Sequence, residues 1–429
     1  MEYKNIIIQW QEFSLPSVLL RQSDINLNLD FVHTIIGPRR AGKTYFCFQL
    51  MHKLQSQGSS LQNVLYINFE DNRLFGATAH DLDMLYETFL ELSEISPKQP
   101  IYLFFDEIQA VEHWDSWVRK MYDLHRNLRL ILTGSSSTLL SKEISTKLRG
   151  RVLNTEMFPL SFKELVHWHN HPYTLKTISQ SKDKIPIKQL FSRYVTEGGY
   201  PVLYAQSGIP LQTLLQSYYE SMIFKDVIER YNIEDIKKLR SLAQLLFQSV
   251  AKEMSYSKLA QKLHAIGFSI SKNTVIEYIH HFEDAYLFFQ NLKYEYSLAK
   301  QLGSIKKVYC LDNGLLNAVS FKSSEDFGRL LENMVFIELR RRNHQIFYHR
   351  QKYECDFLLV EKNKIISAIQ VTATFTAENS AREIAGLVEA LHIYKLDTGL
   401  ILTENQEETK RVDGKTIHII PIWKWLLQK

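Results

Sequence analysis

The chain has 429 residues, 45% hydrophobic and 23% charged, enough for about two to four domains with buried cores and unlike a disordered chain. No apolar run approaches a membrane span and Met1-Glu2-Tyr3-Lys4 is not a signal peptide, so a cytoplasmic protein without a membrane partner is expected. A net charge of +4 permits nucleic-acid binding without requiring it, and the three cysteines (Cys47, Cys310, Cys355) are too far apart for metal-ligand spacing.

Residues 1–30 read as a lead-in, with Leu15-Pro16-Ser17 turning into a helix. The apolar run 31–36 then reads as a buried strand, and residues 44–54 as a helix. Between them stands Gly37-Pro38-Arg39-Arg40-Ala41-Gly42-Lys43-Thr44, which fits the spacing G-x-x-x-x-G-K-[ST]. Glycines let backbone N–H groups close around phosphate oxygens, and a helix N-terminus adds partial positive charge. Lys43 is placed to reach the β- and γ-phosphates and the Thr44 hydroxyl to ligate Mg²⁺, so residues 37–44 with the adjoining Tyr45 form the expected binding site for ATP.

Strands are predicted over 64–69, 101–105 and 128–132, with helices over 81–92 and 114–124. Buried strands joined by helices imply α/β architecture around a parallel sheet. The third strand ends in Asp106-Glu107, where Asp106 is expected to join the Mg²⁺ shell and Glu107 to deprotonate the attacking water. The next strand runs into Thr133-Gly134-Ser135-Ser136, whose hydroxyls, Ser135 among them, suit γ-phosphate sensing or a plain turn. Arg149 and Arg151 are candidate arginine fingers, in cis or from a neighbouring subunit. Glu70 and Asp71 either face the triphosphate or cap a helix.

Phe104-Phe105-Asp106-Glu107-Ile108-Gln109, Leu132-Thr133-Gly134-Ser135-Ser136 and Leu148-Arg149-Gly150-Arg151 resemble one prokaryotic family, as do Tyr66-Ile67-Asn68-Phe69-Glu70-Asp71, Phe158-Pro159-Leu160-Ser161-Phe162, Gly198-Gly199-Tyr200-Pro201 and Lys225-Asp226-Val227. It is a group of archaeal and bacterial AAA-type ATPases that join a P-loop domain to a winged helix and a domain related to PD-(D/E)xK nucleases. The resemblance covers nearly the whole chain. It implies ATP hydrolysis, cytoplasmic location and homo-oligomerisation.

Residues 170–188 read as a surface loop, and from 189 the pattern turns helical. A short helix over 257–263, a turn at Ala265-Ile266-Gly267 and a second helix capped by Ser271 have helix-turn-helix spacing. The second helix presents Lys272, Asn273 and Thr274 to phosphate or bases, and Lys306 and Lys307 fall on the expected wing. Glu277 and Glu283 make that helix less basic than a dedicated DNA reader, so a structural lid stands beside DNA contact.

Further on come Glu332 and Glu338 on a helix ending Arg340-Arg341-Arg342, then strands carrying Tyr348, Glu354, Asp356 and Gln370-Val371-Thr372. Their order resembles the PD-(D/E)xK core with Asp356 at the first position. Gln370 stands in place of the second carboxylate and Thr372 in place of the lysine, so a nuclease-like fold without cleavage is expected. Arg340, Arg341 and Arg342 are its candidate DNA contacts, while Tyr348 and Phe375 read as core. The expected domains are 1–188 (AAA-type ATPase), 189–324 (helical lid and winged helix) and 325–429 (nuclease-like). The function expected is an ATPase acting on a macromolecular partner, foremost DNA. The alternative is a nucleotide-dependent protein-interaction switch.

Overall fold

The computed structural model describes residues 3–428 except 97–98, 137–149, 172, 176–177, 179–181, 183, 207 and 321–326; side chains of 377–379 are also excluded. The chain divides into two compact units, Met1–Phe158 and Pro159–Lys429.

The first unit is built on five parallel strands in the order β2-β3-β4-β1-β5: β1 Val32–Ile36, β2 Val64–Asn68, β3 Ile101–Asp106, β4 Leu128–Gly134 and β5 Val152–Glu156. Every residue of β1 and β3 is buried, which is why both read as unbroken apolar runs. β5 closes the sheet beside β1, yet no strand was predicted there. It lies on an edge and is only half buried, so its sequence lacks the apolar run of the central strands. Helices α2 Lys43–Ser56, α3 Ala79–Leu92 and α4 Trp114–Leu124 cover the sheet.

The lead-in differs from expectation. A helix, α1 Tyr3–Gln11, precedes Leu15-Pro16-Ser17 rather than following it. Its face of Ile6, Ile7 and Trp10 is buried against α3 and β2, and the Trp10 indole donates to the Val64 carbonyl at 2.7 Å. That contact satisfies the one polar group the buried indole carries.

In the second unit, helices Tyr256–Ala265 and Lys272–Asp284 are joined by a tight turn, with the Ser271 hydroxyl accepting from the Thr274 N–H at 3.0 Å. A nine-stranded mixed sheet follows, ordered β13-β14-β12-β11-β10-β9-β7-β8-β6. Its strands are β6 Glu253–Met254, β7 Phe288–Lys293, β8 Lys306–Cys310, β9 Gln345–Arg350, β10 Glu354–Glu361, β11 Lys364–Val371, β12 Thr398–Thr403, β13 Glu408–Val412 and β14 Lys415–Pro421. Parallel pairing of β7 with β9 carries one sheet across the position expected to separate two domains. Tyr348 and Phe375 are both buried, Phe375 within the core cluster of this sheet.

Candidate functional site

The loop 37–42 leaves the carboxyl end of β1 and enters α2. Gly37 approaches the Met157 backbone so closely that an added Cβ would lie 2.1 Å from its carbonyl oxygen. Gly42 has φ 99°, a conformation that side-chain-bearing residues avoid. Arg21, unnoticed in the sequence, braces the loop from the lead-in. Its guanidinium donates to the Ala41 and Phe158 carbonyls, each at 2.7 Å.

Lys43 is buried, and its ammonium donates to the Gly37 and Pro38 carbonyls at 3.1 Å each. It also lies 3.2 Å from Glu107 Oε1. The Thr44 hydroxyl donates to Asp106 Oδ2 at 2.6 Å. Sequence reasoning missed two more partners of Asp106: Tyr66, whose hydroxyl donates at 2.8 Å, and Thr133, whose hydroxyl donates to Oδ1. The Thr133 oxygen also accepts the Glu107 N–H at 3.0 Å, so β4 holds both acids at the end of β3.

Burial, then the neighbouring charge of Glu107, raises the Asp106 pKa against three hydroxyl hydrogen bonds. Burial would raise Glu107 as well, but the Lys43 ammonium, the Gln109 amide and Arg39 hold it below the usual range. Gln109 carries no functional signal in the sequence. Its Nε2 donates to Glu107 Oε2 at 2.5 Å, and its buried Oε1 finds no hydrogen-bond partner among the described residues. Thr44 and Asp106 fit a Mg²⁺ ion: a hydroxyl and a carboxylate side by side at a strand end are hard oxygen donors.

The other expected site residues divide sharply. Arg39 pairs with Glu70 at 2.6 Å, while Asp71 caps the short turn Asn72–Leu74 by accepting the Arg73 N–H. Arg40 takes φ 65°, Ala41 is buried, and Tyr45 is exposed with its ring edge on Phe48. Ser135 and Ser136 are buried after β4. Arg149 lies outside the described residues. Arg151 precedes β5, and its carbonyl accepts the Val32 N–H at the start of β1. It therefore lies at the end of the sheet opposite the P-loop, paired with Asp123 at 2.8 Å.

Five of the expected DNA contacts require correction. Lys307 is buried and ion-paired to Glu332, Glu354 and Asp356, so it is not on an exposed wing. Lys306 is also buried, its ammonium donating to the Leu302 and Ser304 carbonyls and lying over the Tyr256 ring. Arg340, Arg341 and Arg342 form no common basic groove. Arg340 stacks over Phe289, whereas Arg341 and Arg342 both engage Glu338, with Arg342 also over Trp425. Lys272 and Asn273 are exposed, and Thr274 lies in the helix cap.

A family model described as an AAA domain matches residues 30–166, and two domains of unknown function match 188–326 (DUF8612) and 327–425 (DUF4143). The uncharacterized protein MJ1544 of Methanocaldococcus jannaschii is 38% identical over 423 residues, covering 96% of this chain and 91% of that protein. The chain belongs to that protein's family. A second relative, an uncharacterized protein of Haemophilus influenzae, is 30% identical over 401 residues, covering 93% of this chain and 95% of its own. Among solved structures, the Walker-type ATPase PABY2304 of Pyrococcus abyssi aligns over 74% of this chain and 94% of its own, with 13% identity and a TM-score of 0.47. The chain is thus an α/β protein of the AAA-type P-loop class, with a helical middle region and a C-terminal mixed sheet. No helix among the described residues is long and apolar enough to cross a membrane.

Proposed function

We propose that this protein hydrolyses ATP and uses the cycle to act on a macromolecular partner. The observation that carries the reading is the buried trio of Lys43, Asp106 and Glu107 at the carboxyl end of β1 and β3, with Thr44 on Asp106. Loop N–H groups and Lys43 bind and orient the triphosphate. Thr44 and Asp106 would hold Mg²⁺, which supplies charge neutralisation at the phosphates when bound. Lys43 sits on weak partners, two carbonyls and one carboxylate, so a phosphate oxygen can compete for it. Its departure frees Glu107 Oε1 to accept a proton from water, while Gln109 keeps the other oxygen in place.

The partner we favour is DNA, on the exposed Lys272 and Asn273 at the N-terminus of a helix that follows a tight turn. A protein-interaction switch is the second reading. It is favoured by the internal engagement of Lys306, Lys307, Arg341 and Arg342, which removes most of the basic surface first expected. The nuclease-like reading of residues 325–429 is kept without cleavage. Gln370 donates to Glu383 at 2.7 Å and Thr372 to the Thr374 carbonyl, so neither serves phosphodiester chemistry. A homo-oligomer belongs to this reading: Arg151, placed away from the P-loop of its own chain, would serve a phosphate only across a subunit boundary.

Binding of labelled duplex and forked DNA at rising salt, with and without ATP, tests the partner. The DNA reading expects salt-sensitive binding that falls several-fold in a Lys272→Ala/Asn273→Ala variant. Salt-independent binding, or none, transfers the role to a protein partner. Undiminished ATP turnover in Lys43→Ala would remove the reading altogether.

A further inference from the structure

Lys307 stands on β8 with three carboxylates around its ammonium: Glu354 Oε1 at 2.6 Å, Glu332 Oε1 at 2.9 Å and Asp356 Oδ1 at 2.9 Å. The acids arrive from helix Phe327–Arg341 and from β10, so the cluster joins three elements of the second unit. Further hydrogen bonds brace the cluster. The Tyr309 hydroxyl donates to Glu332 Oε1 at 2.8 Å, and the Val371 N–H donates to Asp356 Oδ2 at 2.9 Å. Gln370 accepts the Asp356 N–H at 3.2 Å and donates to Glu383, tying a fourth acid to the rim.

Three hard oxygen acceptors converging on one point are the donor set of a Mg²⁺ or Mn²⁺ site. An ammonium offers three N–H donors, which here match three carboxylates one to one. Lys307, with 2% of its side chain exposed, separates acids that would otherwise repel one another, and Arg350 pairs with the outer oxygen of Glu354 at 2.7 Å. A divalent ion could enter only by displacing a cation that is covalently part of the chain.

We propose that Lys307 is a resident cation that closes this carboxylate cluster against divalent metal, taking structurally the place a metal ion would hold. The consequence is a site that binds no metal until the lysine is removed. This inference stands apart from the reading of the P-loop, since its residues, ligand and test are all in the second unit.

The test is Mn²⁺ titration of the full-length, nucleotide-free protein, following the free-ion electron paramagnetic resonance signal. Wild type and Asp356→Asn should titrate alike. Lys307→Ala should gain roughly one Mn²⁺ site per chain, lost again in Lys307→Ala/Asp356→Asn, and Mn²⁺ should raise the melting temperature of Lys307→Ala only. Wild-type Mn²⁺ binding that disappears in Asp356→Asn would overturn the proposal. So would a folded Lys307→Ala protein with no added site. If Lys307→Ala does not fold, the wild-type and Asp356→Asn pair decides alone, equal titration supporting the proposal and a difference overturning it.

Discussion

Two buried lysines organise this molecule, and their surroundings set them apart. Lys43 rests on two carbonyls and one carboxylate at 3.1–3.2 Å, while Lys307 is held by three carboxylates at 2.6–2.9 Å. The first set of partners leaves room for a phosphate to win the ammonium. The second does not, because any entering anion would have to displace three paired acids in a low-dielectric interior. The direction of the pKa shift is consistent with that view. Burial alone would lower Lys307, yet Asp356, Glu332 and the other surrounding acids raise it well above the ordinary lysine range. A lysine's role is therefore set by how many opposite charges already claim it.

Truncating each lysine should break the comparison in opposite ways. Lys307→Ala leaves buried carboxylates unpaired and should cost about 3–5 kcal/mol of stability, read by urea unfolding of the second unit's tryptophans. Its ATP affinity should stay within about twofold of wild type, because the proposed nucleotide site lies in the first unit. Lys43→Ala should do the reverse. Removing a charge-assisted contact of about 1.5–3 kcal/mol weakens ATP binding roughly ten- to a hundred-fold in a calorimetric titration, and the melting profile should barely move. A Lys43→Ala protein that unfolds, or a Lys307→Ala protein as stable as wild type, would remove the distinction.

A smaller effect sharpens it. Asp312 is a buried acid without a lysine partner, accepting the Gly199 N–H at 2.7 Å and the Leu315 N–H at 3.1 Å. Burial pushes its pKa up to about 6 despite those bonds. A group whose folded pKa is raised binds protons more tightly when folded. Its contribution is therefore complete below the ordinary aspartate pKa and is lost as pH rises through about 6. Wild type should lose stability relative to Asp312→Asn between those limits in chemical denaturation. A pH-independent difference would contradict the assignment.

Much of this was legible in the sequence, and the failures have physical causes. β1, β3 and the Asp106-Glu107 pair were readable because a fully buried strand must be apolar and a loop wrapping phosphate must be glycine-rich. β5 was hidden because a half-exposed edge strand carries polar residues such as Asn154 and Thr155. The helix of the lead-in was misplaced by the Pro16 signal, although Ile6, Ile7 and Trp10 already marked its buried face. Charge misled most. Lys306, Lys307, Arg341 and Arg342 look like surface cations in a string of letters. Lys307's acidic partners, however, lie 25 to 49 residues away, and only the fold brings them together. Gln109 and Tyr66 stayed hidden, since an amide or phenol signals nothing until its contact with an active-site acid is seen.

The central claim, that Lys43 and Glu107 form an exchangeable pair serving ATP hydrolysis, is tested most directly with Glu107→Gln. ATP affinity and phosphate release should be measured side by side for wild type and variant in Mg²⁺. The amide keeps the shape of the side chain but cannot accept a proton, so ATP affinity should hold or rise while turnover falls by at least about a hundredfold. Wild-type turnover in Glu107→Gln, or no ATP binding by the wild-type protein, would contradict the account.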